Sequence, residues 1–526
     1  MAKLLSMQKE IPVLGSLPSG VALKDGVVVR MRGMIQDTLD GVIKHQKYGD
    51  YDLRFRQGLE DIVSSENLAF SDTYYDVDRY TIVSVPGVSA PAMNVLSNSV
   101  ISADQPAEKP VVAPSIEPLS DDPPALIPLE PSLQAISSTD SASPHPIACS
   151  ENFSVVAHVT RDSSEPMTEY KLHQVVDIVG IVSKYVPEDS TSLPLVDYTL
   201  EVISIATADS SDQTDGIVEE PKTSRSVTLN CITNLLNGDE LSAEYLLLQL
   251  ISNRYDNPVL PTLGSWCLNL SNSASIDLPA LQSFLSQVYG NPLVVIACSN
   301  ANLMNRKFYP ERINTNEFTS PGMLQLPKKT LLVLDERVLN EGNVNSLNVL
   351  TVNKVIRDHE LMGLFGTTMV DFPLELRSLI FTKQGPSLFS APEPARGING
   401  TVPFAHLPVK CEGAQTKETI TPKEAEIVRE YIKHCQNLIK KVNIPEAVVE
   451  QFENDWVLCR KYEDNIPTDD IHIWATLLRS MSASYGCEEA SLEDGKAVMK
   501  LETLRRSRIL EIAEKDKTAR STVTGA

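Results

Sequence analysis

The sequence has 526 residues, of which 42% are hydrophobic and 22% charged, so most of the chain can bury a core. At roughly 150 residues per domain, this length predicts two to four domains. There are 46 Lys and Arg residues against 69 Asp and Glu, which gives a formal net charge of −23. Affinity for nucleic acid comes largely from Lys and Arg that displace counterions, so this balance disfavours direct DNA or RNA binding.

The eight cysteines are scattered singly, and no two of them lie closer than 24 residues. This spacing contains no C-x-x-C motif, so it predicts reduced core residues rather than a metal site or a disulfide framework. The N-terminus lacks the apolar core of a signal peptide, and no stretch approaches 18 apolar residues. We therefore expect a soluble protein of the nucleus or cytosol without membrane association.

The N-terminal half is rich in short strand patterns. They lie at 27–32, 80–85, 175–182 and 198–205. Gly180 interrupts the third pattern and indicates a bulge or a barrel bend. We expect an OB-like β-barrel in two parts, residues 1–99 and 151–235, interrupted by a long loop. Periodicity alone leaves a small sandwich as the alternative.

Residues 100–150 differ in kind from their flanks. Ten of the 34 prolines fall between 106 and 146, and between 100 and 150 there are seven acids and one basic residue, Lys109. A segment of this composition has too little apolar surface to offset its ordering entropy. It is predicted to be a disordered, acidic, Pro/Ser-rich insert.

From residue 239 the pattern changes to alternating helices and short apolar strands. A strong helix at 240–252 is followed by apolar runs at 266–270, 293–298, 331–334 and 379–381. Alternation of this kind indicates an α/β layer with a largely parallel sheet, and we assign it to residues 239–415. Together with the barrel, it makes the chain an α+β multidomain protein.

Residues 418–514 are predicted to be a C-terminal module of four helices, followed by a disordered tail at 515–526. Thr421, Pro422 and Glu424 supply an N-cap, an N1 proline and the acid of a capping box for the first helix. We interpret Trp456 and Trp474 as core residues of helix faces. The cluster at 505–508 has three arginines, and we interpret it as a solvated face.

The strongest local motif is the hexamer 331–336, in which four apolar residues precede Asp335 and Glu336. This is the Walker B pattern, in which the Asp organises Mg²⁺ and the Glu polarises the attacking water. A buried strand that ends in solvated acids gives the same pattern, so the hexamer alone leaves both interpretations open.

The phosphate loop that such a site needs is missing. The only Gly-Lys pair, Gly495-Lys496, lies late in a helical region and is followed by Ala497. Residues 271–279 occupy the place where a phosphate loop would follow the strand at 266–270, and they contain no glycine and no lysine. We therefore predict no ATP hydrolysis, no cofactor, no metal and no catalytic residue.

The order of several motifs carries a resemblance to known proteins. The segment 320–326, followed by the strand ending in Asp335-Glu336, looks like the Walker B neighbourhood of minichromosome maintenance (Mcm) helicases. The final helices look like the lid of that AAA+ module, with the acidic Asp469 at or near the place of a phosphate-sensing arginine. An OB-like half followed by an ATPase-like half repeats the order of an Mcm subunit.

The closer resemblance is to the Mcm-complex-binding protein family, which is Mcm-like without ATPase motifs. The matching segments are 31–37, 176–182, 260–264 with 268–271, 322–326 with 331–336, and 371–373. The stretches 40–75 and 342–370 look divergent. On this resemblance, residues 239–415 are a degenerate AAA+-like domain, and Asp335 and Glu336 are a Walker B relic.

The resemblance implies a non-catalytic nuclear replication factor. It would associate with Mcm helicase subunits, act in assembly, remodelling or unloading of the helicase, and support sister-chromatid cohesion. Two other classes stay open. One is a Mg²⁺-dependent ATPase with an atypical phosphate loop. The other is an OB-fold binder of single-stranded nucleic acid, which would use basic residues interleaved with aromatics: Arg30, Arg32, Lys44, Lys47, Arg54 and Arg56 near Tyr48, Tyr51 and Phe55.

Overall fold

The structure is a computed structural model and does not describe every residue. It describes residues 11, 13–14, 26–45, 47–48, 51–52, 74–88, 145–147, 153–160, 170–184, 196, 198–208, 220–254, 264–312, 319–390, 402–410, 420–462 and 470–524. Of the predicted insert, only residues 145–147 are among them. The prediction of disorder for the rest of the insert lies outside the described residues.

Five strands of the N-terminal half close into a barrel in the order β1-β4-β5-β7-β6. They are β1 (Val27–His45), β4 (Tyr74–Ser84), β5 (Ser154–Thr160), β6 (Val175–Lys184) and β7 (Tyr198–Thr207), and two short strands, β2 (Lys47–Tyr48) and β3 (Tyr51–Asp52), pair separately. β5 and β7 are parallel, and the other neighbouring pairs are antiparallel. The barrel is confirmed, and the sandwich alternative is wrong.

Gly180 lies at the predicted irregularity of β6. The register between β6 and β7 shifts between Val179 and Gly180. A Cβ at position 180 would lie 2.7 Å from the carbonyl oxygen of Glu201 and 2.8 Å from Leu200 Cγ. Only glycine lets the two strands approach this closely.

The second half is built on a five-stranded sheet in which every neighbouring pair is parallel. Its order is β15-β8-β14-β11-β9. The strands are β8 (Cys267–Ser271), β9 (Leu293–Ala297), β11 (Leu331–Asp335), β14 (Arg377–Phe381) and β15 (Phe404–Pro408). Leu331 and Val333 of β11 face one core cluster, and Leu332 and Leu334 face another. Strands covered on both faces need near-continuous apolar runs, as observed here.

A smaller sheet of three strands lies beside the main one. Its order is β10 (Glu311–Arg312), β12 (Glu360–Phe365) and β13 (Thr368–Pro373). β12 and β13 form an antiparallel hairpin across Gly366, and the outer strand β13 is mostly exposed.

Nine α-helices lie within the described residues. They are α1 (Pro221–Leu235), α2 (Glu240–Ile251), α3 (Leu278–Val288), α4 (Asn300–Asn305), α5 (Ser346–Asp358), α6 (Pro422–Leu438), α7 (Glu446–Tyr462), α8 (Asp470–Ser484) and α9 (Leu492–Thr524). α5 covers one face of the main sheet, and α1, α2, α3, α6, α8 and α9 share the core cluster on the other. None of the helices in the described part of the chain combines the length and apolarity needed to cross a bilayer.

Two boundaries differ from those predicted. α1 lies within the range 151–235 that was assigned to the barrel, but it packs against α2 and α6 in the helical layer. Its Thr228, Cys231 and Ile232 are buried there, and this tertiary contact decides its membership. α9 continues through Thr524, into the range predicted as a tail.

The four predicted C-terminal helices are present, and the capping box at Thr421 and Glu424 is formed. Trp474 is fully buried, as predicted. The interpretation of the arginine cluster as a solvated face is wrong for Arg505 and Arg508, which are both buried. Arg505 pairs with Glu502 at 2.7 Å and Arg508 with Asp239 at 2.6 Å, because α9 packs these side chains onto the sheet and α2.

Candidate functional site

The acidic pair lies at the carboxyl edge of the parallel sheet, where ligands bind in open α/β folds. Asp335 is the last residue of β11, and Glu336 opens the 3₁₀ turn that follows it. Both side chains are buried, with relative exposures of 7% and 5%. The hexamer therefore does not end in solvated acids, and each carboxylate needs a partner inside the protein.

The partner of Asp335 is Arg337, two residues further along the chain. Its Nε donates to Oδ1 at 2.8 Å and its Nη2 donates to Oδ2 at 3.0 Å, a two-pronged pairing of guanidinium and carboxylate. The backbone N–H of Arg337 donates to the same Oδ1 at 3.1 Å. The position that a metal ion would share with Asp335 in a nucleotidase is thus taken by a cation of the chain itself.

Arg337 also reaches the stretch 271–279. Its Nη1 donates to the carbonyl oxygens of Ser273 at 3.2 Å and Ile276 at 2.7 Å. One side chain therefore ties the end of β11 to the loop that follows β8. Carbonyl oxygens point toward this position, whereas a phosphate would need N–H donors.

The helix that follows this loop is also closed to an anion. Asp277 is the N-cap of α3, and its carboxylate accepts from the N–H of Ala280 at 3.1 Å. Pro279 lies in the first turn and has no N–H to offer. The Asp277 carboxylate thus occupies the N-terminal end of α3, where a phosphate would bind. Its negative charge would repel a phosphate there.

Glu336 is held by the loop that follows β14. Ser387 Oγ donates to Oε1, and the N–H of Leu388 donates to Oε2 at 2.9 Å. Burial raises the pKa of Glu336. The two hydrogen bonds lower it, but by less than burial raises it. Glu336, at the position that would polarise water in an ATPase, here accepts hydrogen bonds from the loop at Ser387 and Leu388.

Strands β15 and β8 contact each other at the same edge of the sheet. His406 of β15 lies 2.8 Å from Ser271 Oγ at the end of β8, and burial lowers the pKa of this histidine to about 4. Ser271 is itself 1% exposed, which leaves it no access for a substrate. This Ser-His contact is a packing feature between two strands.

The other predicted residues belong to the lid comparison and to the nucleic-acid alternative. Asp469 of the lid comparison lies outside the described residues, as do Arg54, Phe55 and Arg56 of the nucleic-acid alternative. Arg32 lies on the barrel, where it makes two 2.6 Å bonds with Asp177, so its charge is compensated. In the part of the chain that the structure describes, no group of three or more His, Cys, Asp or Glu side chains could hold a metal ion.

A second site was missed from the sequence. The barrel meets the α/β domain along a seam, formed by Gln36, Asp37 and His173 of the barrel and residues 319–328 of the α/β domain. Gln325 is its centre and is 3% exposed. Its Nε2 donates to the carbonyl oxygen of Gln36 at 3.2 Å, and its Oε1 accepts from the N–H of Gly322 at 3.1 Å.

Further contacts close the seam on both sides of Gln325. β1 has a register irregularity between Ile35 and Asp37. Asp37 Oδ2 accepts from the N–H of Thr319 at 3.1 Å, and burial raises the pKa of this carboxyl. The N–H of Lys328 donates to the carbonyl oxygen of His173 at 3.3 Å. Buried polar groups on two domains that satisfy each other fix the relative position of those domains.

Two of the matched sequence segments meet in this seam. Segment 31–37 supplies Gln36 and Asp37, and segment 322–326 supplies Gly322 and Gln325. A Cβ at position 322 would lie 2.3 Å from the carbonyl carbon of Tyr309, so this turn requires glycine. The segments are nearly 300 residues apart, and the sequence held no signal of their proximity.

These features define a class of protein. It joins a closed barrel to a parallel α/β domain whose Asp-Glu pair is bound by the chain's own side chains. The chain belongs to the family described as mini-chromosome maintenance replisome factor, whose sequence profile matches residues 190–509. The family expected from the order of the motifs is confirmed.

Curated relatives in distant eukaryotes carry the name mini-chromosome maintenance complex-binding protein. The relative from Arabidopsis thaliana is 28% identical over 296 residues, which cover 54% of this chain and 47% of the relative. The human relative is 27% identical over 308 residues, covering 54% and 44%. The relative from Dictyostelium discoideum is 27% identical over 286 residues, covering 51% and 39%. The matched part thus spans less than half the length of these relatives.

Proposed function

We propose that this chain is a non-catalytic nuclear protein that binds subunits of the Mcm helicase. It acts in the assembly, remodelling or unloading of that helicase during DNA replication, and so supports sister-chromatid cohesion. The relatives' shared name supports the choice of partner. The observation that carries the non-catalytic part is the pairing of Arg337 with Asp335.

We infer that the two halves are an OB-like barrel and a degenerate AAA+-like domain with a lid-like helical module. The barrel has five strands, of which the third and fifth are parallel neighbours, which suits an OB-type arrangement. In the parallel sheet, one strand separates β8, which precedes the phosphate-loop position, from β11, which carries the acidic pair. This separation suits an AAA+-like origin. Fold alone does not assign function, so the closed site and the family carry the argument.

The proposal has a direct physical basis. A degenerate copy of a ring subunit has the preformed, complementary shape that an interface of standard size requires. Without nucleotide to bridge the subunits, the contact is expected to be reversible, as an unloading or assembly factor needs. We expect the α/β half to make the main contact, because ring subunits meet across that module in the helicases it resembles.

Capture of Mcm subunits by the full chain tests the partner. The hairpin residues Met369 and Val370 are exposed at 57% and 39% on the α/β half, so changing both to Glu disturbs a surface without emptying the core. We expect this change to weaken capture. Ser204→Glu with Ala206→Glu, on exposed positions of β7, is the matched control and should leave capture unchanged. Loss of capture in the barrel variant alone would contradict the proposed side of contact, and no capture by the wild type would contradict the partner.

Nucleotide titration tests the absence of catalysis. We expect no heat of binding and no rise in melting temperature with MgATP, because Arg337, Asp277 and the loop carbonyls fill the site. Asp335→Asn should leave Mcm capture unchanged if the acidic pair has only a structural role. Tight MgATP binding and release of phosphate, both abolished by Asp335→Asn, would instead establish the atypical ATPase.

A further inference from the structure

The return end of the Pro/Ser-rich insert is buried in the seam. His145 is 2% exposed, and its Nε2 donates to the carbonyl oxygen of Gln325 at 2.9 Å. Its Nδ1 accepts from the N–H of Ile147 at 3.2 Å, which fixes the neutral tautomer with the hydrogen on Nε2. Ile147 packs against the core cluster between the main sheet and α5. Gln325, which bonds to Gln36 of the barrel, is therefore also contacted by His145 of the insert.

A second buried histidine lies in the same seam. His173 is 1% exposed, and neither of its ring nitrogens has a hydrogen-bond partner among the described residues. Its backbone has a left-handed φ of 65° and is held by bonds to Ile35 and Lys328. Such a ring is tolerated only while it is neutral, because a buried charge without a partner is far more costly than a buried dipole.

The charges around the two rings add to this constraint. The groups whose charge acts on His173 are Lys328 and, once it is protonated, His145, and both oppose a proton there. The seam carboxylate, Asp37, faces Thr319 and Arg312 instead. Burial lowers the pKa of His145 to about 4 and that of His173 to about 3.

The turn after β4, at Gly87, also contacts the α/β domain. The carbonyl oxygen of Gly87 accepts from the N–H of Leu293 at 3.1 Å, at the edge strand β9. A Cβ at position 87 would lie 2.6 Å from Val294 Cγ2, so the turn after β4 is in direct contact with that strand. The barrel thus contacts the α/β domain at Gly87 as well as along the seam.

We propose that residues 145–147 are a releasable latch that closes the seam while His145 and His173 are neutral and releases it when these rings take up protons. Protonation of His145 removes the acceptor for the N–H of Ile147. Protonation of His173 places a cation beside Lys328 inside the seam. In either case water reaches the hydrogen bonds of Gln325 with Gln36 and of Thr319 with Asp37. The barrel then separates from the α/β domain.

Hydrogen exchange on the full chain tests the latch. The opening constant is measured for the amides of Thr319 and Lys328, at pH 7.5 and 5.5, after correction for the intrinsic exchange rate. A histidine whose pKa is near 6.5 in the open seam and far lower in the closed seam increases the opening constant about tenfold between pH 7.5 and pH 5.5. Two such histidines give an increase of about a hundredfold. Amides of the buried helix α2 should show no comparable change.

Two substitutions identify the groups responsible. His173→Asn keeps a residue that tolerates the left-handed conformation, and His145→Gln keeps a hydrogen-bond donor without a titrating ring. The double variant should reduce the change in opening constant to less than about threefold. His434→Gln, on α6 and away from the seam, is the control and should retain the full change. An unchanged pH dependence in the double variant would overturn the proposal.

A measurement on the wild type keeps the test independent of how the variants fold. The imidazole resonances of His145 and His173 should stay those of neutral rings at pH 6. If both seam histidines titrated near 6.5 while the seam amides stayed protected, the latch would be excluded.

Discussion

At the scale of single residues, Arg337 decides the chemistry of the sheet edge. A buried carboxylate at the end of a strand requires a positive partner, which is a metal ion in a nucleotidase and a guanidinium here. The planar group spans Asp335 and two carbonyl oxygens at once, which a lysine could not do. The carboxylate of Asp335 is thus paired within the chain because of the residue two positions further on.

We predict that Arg337→Ala lowers the free energy of unfolding by about 2–4 kcal/mol. The change leaves the Asp335 carboxylate buried without its partner, and this loss dominates the effect. Urea denaturation measures it, with Lys383→Ala, an exposed residue after β14, as the control expected within about 0.5 kcal/mol. The double variant D335N/R337M should recover part of the loss, and equal stability of R337A and wild type would contradict the assignment.

At the scale of elements, α9 is anchored by a buried polar network. Glu502 accepts from Tyr245 Oη at 2.5 Å, from Trp474 Nε1 at 2.9 Å and from Arg505 Nη2 at 2.7 Å. Burial opposes the charge of Glu502, but the Arg505 guanidinium and the hydrogen bonds outweigh it and lower the pKa. Arg505 also donates to the carbonyl oxygen of His406, so α9 is tied to β15.

We predict that Glu502→Ala lowers the free energy of unfolding by about 3–5 kcal/mol, because it removes the carboxylate that compensates the buried guanidinium of Arg505. Hydrogen exchange should locate the loss in α9. Glu511→Ala on the same helix removes an exposed pair with Lys410 and should cost less than about 0.5 kcal/mol. Since the pKa of Glu502 is lower in the folded state, its stabilisation is present above the unfolded value near 4.5 and is lost as pH falls below it. Similar losses in the two variants would show that α9 is not held by this network.

At the scale of the whole molecule, the seam joins the two halves into a unit with shared buried polar groups. A fragment that ends between the barrel and α1 would expose Gln325, Asp37 and both seam histidines to solvent. Full-chain variants are therefore the sound way to locate the Mcm contact. Residues 145–147 of the insert contact Gln325 and the core of the α/β domain, and the turn at Gly87 contacts β9.

We predict that deleting residues 104–140 changes the free energy of unfolding by no more than about 1 kcal/mol, because shortening a long loop alters its closure entropy only slightly. Extending the deletion through residue 147 should cost roughly 2 kcal/mol more, since it removes the Ile147 contact and the His145 hydrogen bond. Thermal unfolding of the two deletions measures the difference. Equal melting temperatures would show that residues 145–147 contribute no binding energy to the seam.

The sequence by itself determined the features that depend on near neighbours in the chain. The capping box at Thr421, the bulge at Gly180 and the apolar strand before Asp335 are set by local propensity and periodicity, which a single sequence displays. The order of short motifs was also enough to indicate the family. The absence of a phosphate loop in residues 271–279 predicts no ATP hydrolysis, but the sequence did not show that Arg337 contacts this stretch.

Only the tertiary structure decided which side chains compensate one another. The arginines of the 505–508 cluster are polar in sequence, and nothing local shows that Arg505 is buried or that Arg508 pairs with the distant Asp239. Arg337 stands beside the acidic pair in sequence, but its carbonyl partners come from the distant loop that follows β8. Gln36 and Gln325 are separated by most of the chain. Burial and pairing depend on which distant segments pack together, and short-range patterns carry no record of that.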